Sequence, residues 1–201
     1  MSANDHEPFI QAKFTIQAPL QIGRCAHMSI PIVVTLDSFD HDPPSQSIKP
    51  HQFDGCEIRL EIRKEVNDDF EHYQFVERSK EIRSITQEED GSIRTMYVAV
   101  FQDVKIQDRG TFRMFARSYF KIDGVLEYNC WNISDNIWVL NDDHPEIRPL
   151  EDGEDDIRYL EENYQRFGMT EEELEKARSL PQYLPVLSVT LAPNPGGEPT
   201  H

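Results

Sequence analysis

The chain has 201 residues, 28% charged and 38% hydrophobic, with 37 acidic against 20 basic side chains and a formal net charge of −17. Its length suits one β-sandwich domain with extensions, or at most two small domains, and is enough to bury a proper core. No apolar run approaches the roughly 18 residues that a membrane-crossing helix needs, and so acidic a total disfavours non-specific binding to nucleic acid through the phosphate charge.

The acidity is uneven. Residues 1–50 carry a net charge of −2, residues 51–125 of −3 and residues 126–201 of −12. The start, Met1-Ser2-Ala3-Asn4-Asp5-His6-Glu7-Pro8, has neither the basic nor the apolar region of a signal peptide. Cys25, Cys56 and Cys130 are an odd, widely spaced set without metal-ligand spacing, as expected of buried thiols in a reducing compartment.

In chain order, residues 1–12 read as a polar lead-in. Phe14, Ile16 and Ala18 alternate with Lys13, Thr15 and Gln17, a short first strand stopped by Pro19. Ile30, Ile32, Val34 and Leu36 share one face of a second strand, with Pro31 near its start, where a missing donor does least harm. Residues 37–55 are a loop rich in Pro, Ser and Asp. Cys56–Arg63 is the cleanest strand, apolar on one side and alternating in charge on the other, so one of its faces is wet. Weaker strands follow around Tyr73–Val76 and Ile82–Ile85, then a turn at Asp90-Gly91 and a strand at Ile93–Phe101.

Next comes the longest alternating run. Asp108-Arg109-Gly110 turns the chain into Thr111–Ile122, where Phe112, Met114, Ala116, Ser118, Phe120 and Ile122 share one side. The pattern Asp-x-Gly-x-aromatic-x-(buried residue) opens the strand after the E–F corner in immunoglobulin-like sandwiches. Phe112 and Met114 stand where Tyr and Cys are usual, so neither the corner hydrogen bond nor the inter-sheet disulfide is available. Asp123-Gly124 is a hairpin turn, with the chain returning through Val125–Tyr128 or directly into Trp131–Leu140. Seven or eight short strands suit a Greek-key sandwich.

Beyond Asn141–Pro145 the period becomes helical. Ile157, Leu160, Tyr164 and Phe167 fall on one face, and Gly168 is the stop. A second helix is capped by Thr170, boxed by Glu173, stapled by Met169 onto Leu174, and ends near Leu180-Pro181. The last twenty residues form a Pro-rich tail.

Chemistry-bearing motifs are scarce. The chain has no nucleophile elbow, phosphate loop, dinucleotide fingerprint or paired-Cys metal motif, so neither an enzyme nor a cofactor is expected. Asp37, Asp40, His41 and Asp42 crowd one loop and have the chemistry to hold a divalent cation, yet turn-forming Asp residues are the commoner reason for such a loop. No metal site is assigned.

The surface with most character is the other side of Thr111–Ile122, where Arg113, Phe115, Arg117, Tyr119 and Lys121 alternate outward. Interleaved guanidinium groups and rings suit a phosphate backbone or an acidic partner. Two alternatives stand beside this: the strand is buried on both sides, or the acidic helices cover the basic face within the chain. The stripe Ile157/Leu160/Tyr164/Phe167 is in turn either a packing surface or a contact for a second protein.

The order of motifs resembles the fungal velvet domain. Gln17-Ala18-Pro19-Leu20-Gln21-Ile22-Gly23-Arg24-Cys25, then Pro31-Ile32-Val33-Val34-Thr35-Leu36, is similar to that family's opening segments. Val100-Phe101-Gln102-Asp103-Val104-Lys105-Ile106 with Gly110-Thr111-Phe112-Arg113-Met114, then Ile133-Ser134-Asp135, Trp138-Val139-Leu140 and Pro145, continue the likeness over roughly residues 14–148. The resemblance implies an immunoglobulin-like sandwich of the Rel/NF-κB type in a nuclear or cytoplasmic regulator of fungal development and secondary metabolism. It also implies DNA binding and homo- or heterodimers. The family's Lys/Arg-rich loop is replaced here by Ala26-His27-Met28-Ser29-Ile30, leaving Arg24 as the one family-like cation and the phosphate contribution much reduced.

The expectation is therefore an all-β, immunoglobulin-like Greek-key sandwich at 13–141, an acidic helical extension at 142–180 and a tail at 181–201. Its expected role is a non-enzymatic regulator or scaffold acting through protein contacts, with DNA binding weak or lost. The alternative is a DNA-binding transcriptional regulator using Arg24 and the Arg113 face.

Overall fold

Positive-φ residues frame the central strands of the larger sheet. Asn67 and Asp68 both have positive φ (51° and 65°), the requirement of a two-residue type I′ turn that matches strand twist. They join β4 (Cys56–Val66) to β5 (Asp69–Val76). Gly110, at φ 136°, opens β8 (Gly110–Ile122), the strand against which β4 lies antiparallel from Cys56↔Phe120 to Lys64↔Phe112. The computed structural model describes residues 9–40, 56–87, 93–122, 125–179 and 182–184.

The remaining elements are β1 (Phe9–Ile16), β2 (Gln21–Gly23), β3 (Ile32–Asp40), β6 (Lys80–Gln87), β7 (Ile93–Phe101), β9 (Val125–Ile133), β10 (Ile137–Leu140), β11 (Ile147–Pro149), α1 (Leu150–Phe167), α2 (Glu171–Ser179) and β12 (Gln182–Leu184). They form two sheets. The smaller has the order β1-β3-β7-β6, and the larger β12-β11-β2-β10-β8-β4-β5, with β9 beside β10 on the same flank of β8. The fold is a two-sheet β-sandwich. Ile32, Val34, Leu36, Tyr97, Ala99 and Phe101 of the smaller sheet meet Ile58, Leu60, Ile62, Phe112, Met114 and Ala116 of the larger in one core. Inward and outward residues alternate along each strand, as facing sheets require.

The helices form a third layer. Leu160, Phe167, Met169, Leu174 and Ala177 pack on Val33, Val98 and Val100, the outward residues of the smaller sheet. That sheet is therefore covered on both sides, which is why 30–36 and 97–101 are buried without interruption instead of alternating. Gly168 closes α1 in the left-handed region at φ 78°. Its N–H donates to Gln165 O and that of Met169 to Tyr164 O, a Schellman end. At α2, the Thr170 N–H and hydroxyl both donate to Glu173 Oε2, and the Glu173 N–H donates back to Thr170 Oγ1, so the capping box is formed.

A buried charged cluster pins this layer to the sandwich. Arg148 is 1% exposed and donates to Glu146 Oε1 at 2.6 Å and to Gln17 O at 2.8 Å, while its Nη1 lies 3.6 Å from Asp156 Oδ2 on α1. Glu146 Oε2 accepts from both the N–H and the hydroxyl of Ser29 at 2.7 Å. One guanidinium thus ties β11, the end of β1, the segment before β3 and the first helix together.

Several sequence expectations are corrected. The first strand starts at Phe9, inside the expected lead-in, because Phe9–Phe14 pairs with Val34–Phe39. The short strands β2, β11 and β12 were not anticipated, since they hold their places by pairing with distant partners and not by local pattern. Gln182–Leu184, assigned to a loose tail, runs parallel to β11; residues 185–201 lie outside the described residues. The helices cover the smaller sheet, so they do not cover the face that carries Arg113.

Candidate functional site

The candidate site grows from the pairing of β4 with β8. Register places Glu57 opposite Tyr119, Arg59 opposite Arg117, Glu61 opposite Phe115 and Arg63 opposite Arg113. Directly opposed residues share a face, and Phe112, Met114 and Ala116 hold the inner one. All eight residues therefore lie on the outer side of the larger sheet. Four of them are arginines and two are carboxylates, in a chain whose total charge is −17.

Two arginine pairs opposed across adjacent strands repel each other, and the surroundings offset that repulsion. Glu61, between the pairs, is 4% exposed. Its carboxylate accepts from Arg63 Nε at 2.9 Å, and it lies 3.0 Å from His72 Nδ1 and 3.2 Å from Arg117 Nη2. Burial pushes the Glu61 carboxyl up, but the hydrogen bonds from Arg63 and His72 and the charges of Arg63 and Arg117 outweigh it and hold it below its ordinary value. Rings supply the rest. The guanidinium carbon of Arg59 lies 4.7 Å from the Tyr119 ring centroid, that of Arg63 4.6 Å from Phe115 and that of Arg113 4.6 Å from Phe70, within cation–π range. Arg59 also donates to Glu57 at 2.6 Å and Arg113 to Asn136 Oδ1 at 2.6 Å.

The face is open. The side chains of Arg63, Arg117, Arg59 and His72 are 27%, 34%, 47% and 48% exposed. Two large apolar side chains flank them. Phe75 of β5, opposite Glu61, is 65% exposed, and Trp131 of β9, opposite Arg117, is 56% exposed. Exposed aromatics beside arginines are the composition of a recognition surface. A shallow hollow adjoins it where β5 leaves the sheet, lined by residues 57–60 and 75–78.

Of the residues expected from the sequence, Arg113, Phe115, Arg117 and Tyr119 are together on this face. Lys121 is on β8, but its side chain lies outside the described residues. Arg24 is not among them: its guanidinium donates to both carboxylate oxygens of Asp142, at 2.6 and 2.9 Å. That pair forms where Gly23 passes under the 141–144 segment so closely that a Cβ would stand 2.8–3.0 Å from its carbonyl oxygens. The helical stripe is spent inside the chain. Leu160 and Phe167 are 0% and 2% exposed, and Ile157 and Tyr164 pack on the same cluster. Its residues lie against their own sheet and do not form a free surface. Cys25, expected to be buried, is exposed; Cys56 is buried. His41 and Asp42 lie outside the described residues, as do the side chains of Asp37 and Asp40. Among the described residues no group of three or more His, Cys, Asp or Glu side chains is placed to hold a metal ion.

The sequence reading missed Arg59, Arg63, Glu61, His72, Phe75 and Trp131 as members of this face. The alternating charges of Cys56–Arg63 marked a wet side, and only the strand register puts it beside Arg113 and Arg117. Comparison with protein-family models and with curated proteins finds no match for this chain.

Proposed function

We propose that this chain is a non-enzymatic binding protein, regulatory or scaffolding in role, that takes an acidic partner protein on the outer face of its larger sheet. One observation carries the reading: two directly opposed arginine pairs and two exposed aromatics share an open face in a strongly acidic chain. Arrangements that cost folding energy and leave apolar rings in water are the kind retained for binding. A protein is preferred to DNA as the partner because Glu57 and Glu61 stand within the face and repel a polyphosphate. The chain as a whole also repels it, and Arg24 is engaged with Asp142.

We further read the sandwich as immunoglobulin-like with Greek-key connections. Strand order supports this: β1-β3-β7-β6 follows the A-B-E-D sheet, and β10-β8-β4-β5 follows G-F-C-C′, with β2 parallel to β10 on the side away from β8. The same order suits the resemblance to velvet domains over residues 14–148. On that resemblance the role proposed is regulation in the nucleus or cytoplasm through homo- or heterodimers of that type.

The test is titration of the full chain with poly-L-glutamate and with mixed-sequence duplex DNA, at low and at physiological salt. Poly-L-glutamate binding that disappears in Arg113→Glu/Arg117→Glu, with DNA bound weakly or not at all, is the expected result. DNA bound more tightly than poly-L-glutamate, with a steep fall as salt rises and loss in the same variant, would instead favour the DNA-binding regulator.

A further inference from the structure

The partner's recognition chemistry follows from how the arginines are spaced. Arg59 and Arg63 are four residues apart on β4, and their opposites Arg117 and Arg113 are four apart on β8. Four residues of extended strand span about 13 Å. Midway between the two pairs lies the row Phe75, Glu61, Phe115 and Ile133, whose one carboxylate is buried under Arg63, Arg117 and His72. By backbone register the face therefore repeats along the strand direction as arginine pair, central row, arginine pair, with the Arg63 and Arg117 guanidinium groups leaning in over that row onto Glu61.

We infer that the ligand is an extended segment of the partner, lying along β4 and β8, with the pattern acid-x-apolar-x-acid. In an extended chain residues i, i+2 and i+4 point the same way. The two carboxylates then reach the two arginine pairs, and the apolar side chain between them meets the exposed Phe75 ring. Donors are sufficient. A guanidinium carries five N–H groups, and Arg59 and Arg113 each spend one on Glu57 and Asn136, while Arg63 spends two on Glu61. Charge complementarity selects this occupant: the eight central positions hold four arginines and two carboxylates, an excess matched by two acidic side chains and far short of a polyphosphate's demand. Cation–π contacts with Tyr119, Phe115 and Phe70 already hold three of the guanidinium groups, so less rotamer freedom is lost on binding.

This inference rests on the proposed function, and its test separates the two. Three fluorescent probes are titrated against the full chain: a Gly/Ser-flanked peptide with the core Glu-Thr-Val-Thr-Glu, a peptide of the same composition with its two Glu adjacent, and a twelve-residue oligo-dT. The first is expected to bind about tenfold tighter than the second, the worth of one well-placed charge-assisted contact. Arg113→Gln/Arg117→Gln should abolish that preference, and the more exposed Arg59→Gln should reduce it with strand content unchanged by circular dichroism. Equal binding of the two peptides overturns the spacing and leaves the acidic-partner reading standing. Oligo-dT bound tighter than either, with loss in the arginine variants, overturns the peptide in favour of single-stranded nucleic acid. No binding by any probe or by poly-L-glutamate overturns both.

Discussion

Arg63 and Arg113 stand directly opposite each other across β4 and β8, and the carboxylate that makes this tolerable is Glu61, two residues along β4 and nearly buried. Arg59 and Arg117 repeat the arrangement on the other side of Glu61. The face is a repulsive array of cations held together at its centre by one anion.

Removing that anion should be expensive. Glu61→Gln keeps the shape but removes the negative charge shared by Arg63, Arg117 and His72 and turns one of its two acceptor oxygens into an NH2 donor, with an expected loss of roughly 2 kcal/mol. Urea unfolding measures it. Combining Glu61→Gln with Arg117→Gln should recover part of the loss, because the second change removes one of the stranded charges. A variant as stable as the parent would contradict the role given to Glu61.

The same carboxylate makes stability pH-dependent. The Glu61 carboxyl is held below its ordinary value of 4.5 in the folded chain, so the unfolded chain takes up its proton first as pH falls. Its contribution is complete above about pH 5 and is lost as pH drops through the depressed folded value. Glu57, lowered by its hydrogen bond from Arg59, acts in the same direction. The urea midpoint should hold steady from neutral pH down to about 5 and then fall, less steeply in Glu61→Gln. Equal slopes for parent and variant would assign the acid sensitivity to other groups.

Helix docking can be separated from binding. Leu160 is fully buried between α1 and the smaller sheet, and Leu160→Ala should cost about 3 kcal/mol. Arg148→Met removes the buried guanidinium that faces the Glu146 and Asp156 carboxylates and should cost about as much. Neither residue touches the arginine face. Below the unfolding transition both variants should bind the acidic probe as the parent does, and a selective loss of binding in the folded variants would place the recognition surface on the helices.

Thr170→Ala removes one half of the capping box and should lower stability by about 1 kcal/mol. Thr170→Ser retains a hydroxyl and should recover most of that. Thermal unfolding followed at a helix-sensitive wavelength distinguishes them.

Local chemistry was legible without the fold. The capping box at Thr170 and Glu173, the stop at Gly168, the bounds of Ile93–Phe101 and the inward run Phe112, Met114, Ala116 and Ser118 all depend on neighbours within a few residues, where side-chain period and backbone preference act directly. Short strands were not legible: Gln21–Gly23, Ile147–Pro149 and Gln182–Leu184 are too brief to carry a period and exist because a distant strand supplies their hydrogen bonds.

By itself the sequence determined that Arg113, Phe115, Arg117 and Tyr119 share one side of a strand, and that Ile157, Leu160, Tyr164 and Phe167 share one side of a helix. Only the tertiary structure decided that the first side faces water with Arg59 and Arg63 alongside, and that the second is buried on Val33, Val98 and Val100. The reason is the range of the forces involved. Which way a side chain points along its own element is set by steric limits on a few adjacent dihedrals, whereas what stands opposite it is set by long-range strand pairing and burial of the whole core.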